Sequence, residues 1–108
     1  MIVNVLNGFN NRGRRFFEQE DDRAAINELR RAIYLRPYED EPHLLLGRIY
    51  QRGGQLREAI EEFRIAVWCR DSSGARVRLG EALLESGDRA GARTEAQRAL
   101  VLTPALMV

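Results

Sequence analysis

Cysteine occurs once in this chain, at position 69, and histidine once, at position 43. A lone thiol closes no internal disulfide and offers no metal-ligand spacing, so neither a disulfide framework nor a bound metal is expected to hold the fold. Long apolar runs are missing too: no stretch approaches the roughly 20 residues needed to span a bilayer. The start, Met1-Ile2-Val3-Asn4-Val5-Leu6, lacks the basic region and apolar run of a signal peptide. The expectation is a chain without a membrane role, with the cytoplasm as default compartment. Neither sign of charge dominates, since the formal net charge is +1. Bulk electrostatics therefore do not call for nucleic acid or an anionic membrane. Phosphate loops and dinucleotide fingerprints are absent, as is any convergent set of acid, base and nucleophile. The sequence thus predicts no cofactor and no enzyme.

What is present is a repeat. Apolar residues make up 44% and charged residues 31% of the 108 positions, which suits a soluble domain with a core. Gly13, Gly47 and Gly80 recur at intervals of 34 and 33 residues. Ala25, Ala59 and Ala92 keep step, as do Ala32, Ala66 and Ala99. Larger side chains follow: Phe16, Tyr50 and Leu83; Ile33, Val67 and Leu100; Leu35, Cys69 and Leu102. Self-similarity at this period marks stacked helical repeats. In the second unit Leu46, Gly47 and Tyr50 fit one helical stripe, and Gly53-Gly54 ends it. Ala59, Ile60, Phe63, Ala66 and Val67 fit a second. Six helices follow, near residues 5–19, 22–36, 40–53, 56–70, 73–86 and 89–102. One domain over 1–108 divides into units at about 6–39, 40–72 and 73–105. Each glycine precedes the first alanine of its unit by 12 residues, which places both small residues near the crossing of two antiparallel helices.

This pattern resembles the tetratricopeptide repeat (TPR). The middle unit carries His43-x-x-Leu46-Gly47-x-x-Tyr50, then Gly54, Ala59, Phe63 and Ala66. The third carries Leu79-Gly80-x-x-Leu83, Gly87, Ala92, Ala99 and Pro104; the first carries Gly13-x-x-Phe16, Ala25, Ala32 and Pro37. His43 and Arg76 depart from the tryptophan the family favours there, while Phe9 keeps an aromatic. The resemblance implies an all-α solenoid of three helix-turn-helix units wound into a right-handed superhelix. Its first helices would line a concave groove for a peptide or a partner's helix.

Carrying the family's inward positions onto this chain gives Asn7, Asn10, Asn11 and Arg14 in the first unit. The second gives Glu41, Leu44, Leu45, Arg48 and Arg52, and the third Val77, Arg78, Glu81 and Glu85. Arg14, Arg48 and Arg78 would form a basic row suited to bidentate capture of a carboxylate, with Leu44, Leu45 and Val77 beside it for an apolar side chain. The opposing reading is a row of solvated arginines balanced by Glu41, Glu81 and Glu85. The family's clamp for acidic chaperone tails falls on Asn10, Arg14, Leu45, Gly74 and Arg78, of which only Arg78 matches. That ligand is not expected.

Other features read as structural. His43 is expected in the core or at a cap. Cys69, in register with Leu35 and Leu102, is expected to be a buried thiol. Trp68 is expected to pack against the neighbouring unit. Glu18-x-Glu20-Asp21-Asp22 lacks calcium-loop spacing, and Asp21 or Asp22 is expected to cap the next helix. Arg12-Gly13-Arg14-Arg15 reads as a solvated face. Leu83, Leu100 and Leu102 are expected to lack cover at the last unit. Either the chain is part of a longer protein, with Ala105-Leu106-Met107-Val108 opening another helix, or a second copy covers this end and gives a homodimer. The partner expected is a protein or peptide.

Overall fold

The computed structural model describes the backbone of residues 2–103 and the side chains of residues 8–103. It contains six helices: α1 (Ile2–Glu18), α2 (Asp22–Leu35), α3 (Asp40–Arg52), α4 (Leu56–Cys69), α5 (Ser73–Glu85) and α6 (Arg89–Val101). Strands are absent among the described residues. Consecutive helices pair as antiparallel hairpins, α1 with α2, α3 with α4 and α5 with α6, and the hairpins stack in order. The architecture is an all-α solenoid of three helix-turn-helix units. Among the described residues no helix is long and apolar enough to cross a membrane.

Each hairpin turns by the same device. After α3, Gly54 adopts φ 81°, its N–H donates to Gln51 O at 3.0 Å, and the Gln55 N–H donates to Tyr50 O at 2.8 Å. These two bonds satisfy carbonyls the helix end would otherwise leave open. Gly87, with φ 96°, repeats the pattern with Leu84 and Leu83. The first turn does so without glycine. Glu20 takes φ 58°, and the same two bonds run to Phe17 and Phe16. Asp21 then caps α2 through the Ala24 N–H, as Asp88 caps α6 through Gly91 and Ser72 caps α5 through Ala75.

The core forms between hairpins. Ala25, Leu29, Leu45, Leu46 and Ile49 are buried together, with Phe16, Phe17 and Ile33 against them. Ala59, Phe63, Leu79, Ala82 and Leu83 form a second cluster, and Tyr50 packs against both. The small residues act differently from the glycine–alanine contact read from the sequence. Gly13 and Gly47 face a large side chain 16 positions on: an added methyl would sit 2.5 Å from Leu29 Cδ2 or 2.6 Å from Phe63 Cδ1. Gly80 instead meets the Ala92 carbonyl at 3.5 Å, because the corresponding residue is Ala96 and fills no space.

Three further expectations need correction. Leu83 is 4% exposed, because it turns back onto Ala59 and Phe63; Val77, Leu84, Leu100 and Val101 are the large apolar residues left open at the last unit, and Leu102 is partly so. Trp68 is 73% exposed, since it lies two residues (about 200° of helix) from buried Ala66. Its ring leans on Tyr38, with centroids 5.7 Å apart and planes at 53°. Cys69 is only half-buried rather than buried, and its counterparts Leu35 and Leu102 are exposed in part as well, because this position of each second helix lies at the edge of the core. Pro104 and the apolar segment 105–108 lie outside the described residues, as do the side chains of residues 1–7.

Candidate functional site

Helices α1, α3 and α5 share one face, and a groove of about 370 Å³ opens along it. Arg14, Phe17 and Glu18 come from α1; Glu41, Leu44, Leu45 and Arg48 from α3; Ser72, Gly74, Ala75 and Arg78 from α5 and its cap. An adjoining hollow of about 350 Å³ continues over Phe17, Arg48, Gln51, Arg52, Arg78 and Glu85.

The arginines differ in what they already hold. Arg14 pairs with Glu41, which also accepts from Asn10 Nδ2 at 3.0 Å. Arg52 is committed to the first hairpin: its Nε donates to Asp22 Oδ1 at 3.0 Å, its Nη2 to the Phe17 carbonyl at 3.1 Å, and its guanidinium lies 4.3 Å from the Phe17 ring centre. Arg78 reaches Glu81 loosely, at 3.7 Å along its own helix. Arg48 lies 4.8 Å from the centre of the same Phe17 ring and has no ion pair or side-chain hydrogen bond among the described residues. Burial, and then the charges of Arg78 and Arg52, push its pKa below the usual guanidinium value, with Glu81 opposing. A guanidinium in that position lacks an anion.

The remaining expected site residues divide. Leu44 lines the groove and is half-buried; Leu45 reaches its floor but, at 7% exposed, belongs to the core. Asn11 is exposed on α1 and Val77 on α5, and neither lines the groove. Glu81 acts on it through Arg78 and Arg48. Asn10 has a buried Oδ1 without a partner among the described residues. The Asn7 side chain lies outside them. Phe17 was not among the expected residues, although two arginines stack on it. It follows Phe16 directly and was hidden by that residue's place in the repeat pattern. Arg78 is not the repeat equivalent of Arg48, which is Glu81, yet it faces Arg48 from one turn earlier on α5.

The family described as Tetratricopeptide repeat matches residues 41–67, which are α3, α4 and the turn between them. The other two hairpins repeat that unit in fold and spacing. The middle hairpin is a tetratricopeptide repeat, and the whole chain has the fold of such repeats. A crystal structure of MamA superposes with a TM-score of 0.88 at 24% identity, covering 94% of this chain and 60% of that one. The first TPR of Spaghetti (RPAP3) bound to the HSP90 peptide SRMEEVD gives 0.86 at 22%, covering 92% and 79%. The Yersinia enterocolitica type III secretion chaperone SycD, in complex with a peptide of the translocator YopD, gives 0.86 at 20%, covering 92% and 76%. The chain thus spans about 60% of the length of the MamA structure it matches. A comparison with curated proteins finds no match. Among the described residues, no three His, Cys, Asp or Glu side chains gather to hold a metal ion.

The tryptophan position of the repeat is rebuilt with polar pairs. His43 is 5% exposed; its Nδ1 lies 2.8 Å from Glu62 Oε1 on α4 and its Nε2 3.1 Å from the Pro37 carbonyl. Arg76, at the same place in the third unit, donates to Glu95 at 2.9 and 3.0 Å and to Asp71 at 2.8 Å. Those contacts with Asp71, then Glu95, hold the guanidinium charged well beyond its usual range. In the first unit Glu28, the counterpart of Glu62 and Glu95, takes Arg12 at 3.4 Å, and Arg12 covers the Phe9 ring. These side chains fasten the two helices of each hairpin together, which accounts for His43 without chemistry at its ring.

Proposed function

We propose that this chain is a non-catalytic scaffold that binds a peptide or helix of a partner protein along α1, α3 and α5. The partner places a carboxylate between Arg48 and Arg78 and an apolar side chain on Leu44. The observation that carries this reading is Arg48, a partly buried guanidinium facing a second arginine and lacking an ion pair among the described residues. A carboxylate there gains a charge-assisted bidentate bond, and Arg48 is partly buried, which strengthens it. Similar folds that hold peptides, the RPAP3 repeat and SycD, support the groove as the place.

Peptides that pair one Asp or Glu with a nearby Leu or Phe, read by fluorescence anisotropy at low and high salt, test the proposal. Binding should weaken with salt and be lost in Arg48→Glu and in Arg78→Glu, with helix content unchanged. Binding that survives both changes refutes it. The acidic chaperone-tail pentapeptide should bind poorly, since Leu45 is in the core and Gly74 presents no side chain.

A second reading rests on the last hairpin, where Val77, Leu84 and Leu100 stay exposed. A second copy covering them would form a homodimer. Leu100→Asp should then shift the mass measured by sedimentation at several concentrations. A mass that stays monomeric at high concentration rejects it. Leu106, which the sequence also suggested for this contact, lies outside the described residues.

A further inference from the structure

The linker between the first and second hairpins, residues 36–39, is fastened by a group that titrates near neutral pH, whereas the next linker is fastened by one that does not. The pocket behind this linker is built from equivalent positions in both units. In the third unit Arg76 spans Glu95 on α6 and Asp71 in the linker before α5. In the second, His43 spans Glu62 on α4 and the Pro37 carbonyl in the linker before α3. Arginine stays protonated throughout the accessible range. Histidine does not.

We propose that His43 is a proton-operated latch on the linker that joins the first two hairpins. Both ring nitrogens face acceptors, a carboxylate oxygen at 2.8 Å and a carbonyl oxygen at 3.1 Å. Only the imidazolium carries an N–H on each nitrogen. The neutral ring has one, so it leaves one acceptor facing a lone pair. The bond to Glu62 is charge-assisted and keeps the proton; the Pro37 carbonyl is released. What then holds the linker against α4 is a long contact from Cys69 Sγ to that carbonyl, at 3.9 Å, and the Tyr38 ring resting on Trp68.

The electrostatics around the ring set the direction. Burial is the largest single influence and disfavours the charged ring. The hydrogen bonds to Glu62 and Pro37, with the charges of Glu62 and Asp40, together outweigh it and raise the pKa above 6.5. Glu62 faces the ring from α4 and Asp40 from its own helix; in the linker Glu39 is paired with Arg36 at 3.5 Å. Cys69, at the end of α4, has its thiol pKa pushed up by burial and then by Asp40 and Glu39, so it stays neutral while His43 titrates. A folded-state pKa above the ordinary value means that the latch is complete below about pH 6.5 and is lost as pH rises through the raised value. Raising the pH loosens the first joint and leaves the second unchanged.

The experiment needs only the full chain, since one histidine and one tryptophan give unambiguous signals. Between about pH 5.5 and 8.5, outside the ordinary carboxylate and tyrosine ranges, NMR follows the His43 ring protons. Trp68 emission and the amide-exchange protection of Arg36 and Glu39, whose N–H groups donate to Ala32 O and Arg36 O, report the linker. The ring midpoint should lie above 6.5, and emission and protection should change at that same midpoint. Protection should fall about five-fold, as for one neutral hydrogen bond, while protection at Arg70, whose N–H donates to Ala66 O at the start of the second linker, stays level. In His43→Arg the transition should vanish with the fold intact. Should that variant unfold, His43→Gln should show pH-independent protection at the wild-type alkaline level. A ring midpoint at or below 6.5, a linker that ignores the ring's titration, or a transition that persists in either variant overturns the proposal.

Discussion

Gly47→Ala and Gly80→Ala are the same change at equivalent points of neighbouring repeats, and they should move stability in opposite directions. In both helices alanine gains about 0.8–1 kcal/mol over glycine from backbone propensity alone. At Gly80 little opposes this gain, because the new methyl meets the Ala92 carbonyl at 3.5 Å and Glu95 Cβ at 3.6 Å, ordinary contact distances. Gly80→Ala should therefore stabilise by up to about 1 kcal/mol. At Gly47 the methyl would lie 2.6 Å from Phe63 Cδ1. Phe63 is fully buried, so its ring moves only by parting α3 from α4 or disturbing Leu79 and Leu83. Overpacking of that kind costs about 1–3 kcal/mol, leaving a net loss of up to about 2 kcal/mol after the propensity gain. Thermal unfolding followed by circular dichroism resolves this, at about 4–8 °C per kcal/mol for a domain near this size. Measured against Phe63→Ala alone, the double variant Gly47→Ala/Phe63→Ala should show no loss from the added methyl, as at Gly80, where the residue 16 positions on is Ala96. Equal shifts of the same sign at the two glycines would refute the claim that the residue 16 positions on decides how closely each hairpin packs.

Glu20→Gly should stabilise, because Glu20 holds the left-handed φ of 58° that Gly54 and Gly87 hold in the other turns; relief of about 1 kcal/mol should appear as a raised denaturation midpoint, and an unchanged or lowered midpoint counts against it. Arg76→Ala should cost about 3 kcal/mol, the lower part of the range for breaking a buried pair, because Arg98 at 3.3 Å still partly covers Glu95. Adding Glu95→Leu to that variant should restore much of the loss in urea denaturation, since the carboxylate left alone is 4% exposed; no recovery would show that the charge is not the cause.

The spacing of small residues was enough to locate the helices, because glycine and alanine mark where backbones approach and leave a period behind them. The turns followed for the same reason, except that Glu20 shows the backbone shape to be dictated by the hairpin rather than by the glycine usually found there. The contacts that escaped notice join residues far apart. Arg76 and Glu95 lie 19 positions apart and become neighbours only once α5 and α6 pack; neither reads as half of a buried pair on its own helix. Trp68 misled by composition, since a large aromatic suggests burial while its angle on α4 points it outward. In the groove, the row of arginines was legible as charge. Which of them is already engaged was not, because Asp22 and Glu41 reach Arg52 and Arg14 from other hairpins.

Tyr50 packs against both buried clusters, and its hydroxyl accepts from Arg30 at 3.0 Å. The middle hairpin therefore has a packed neighbour on each side, whereas each outer hairpin has one among the described residues. Opening the ends uncovers one cluster at a time; opening the middle uncovers both. Such a chain unzips inward, and the amides of α3 and α4 near Tyr50 should be the last to exchange with solvent. The hairpin that matches the tetratricopeptide repeat is then also the seed on which the other two are held.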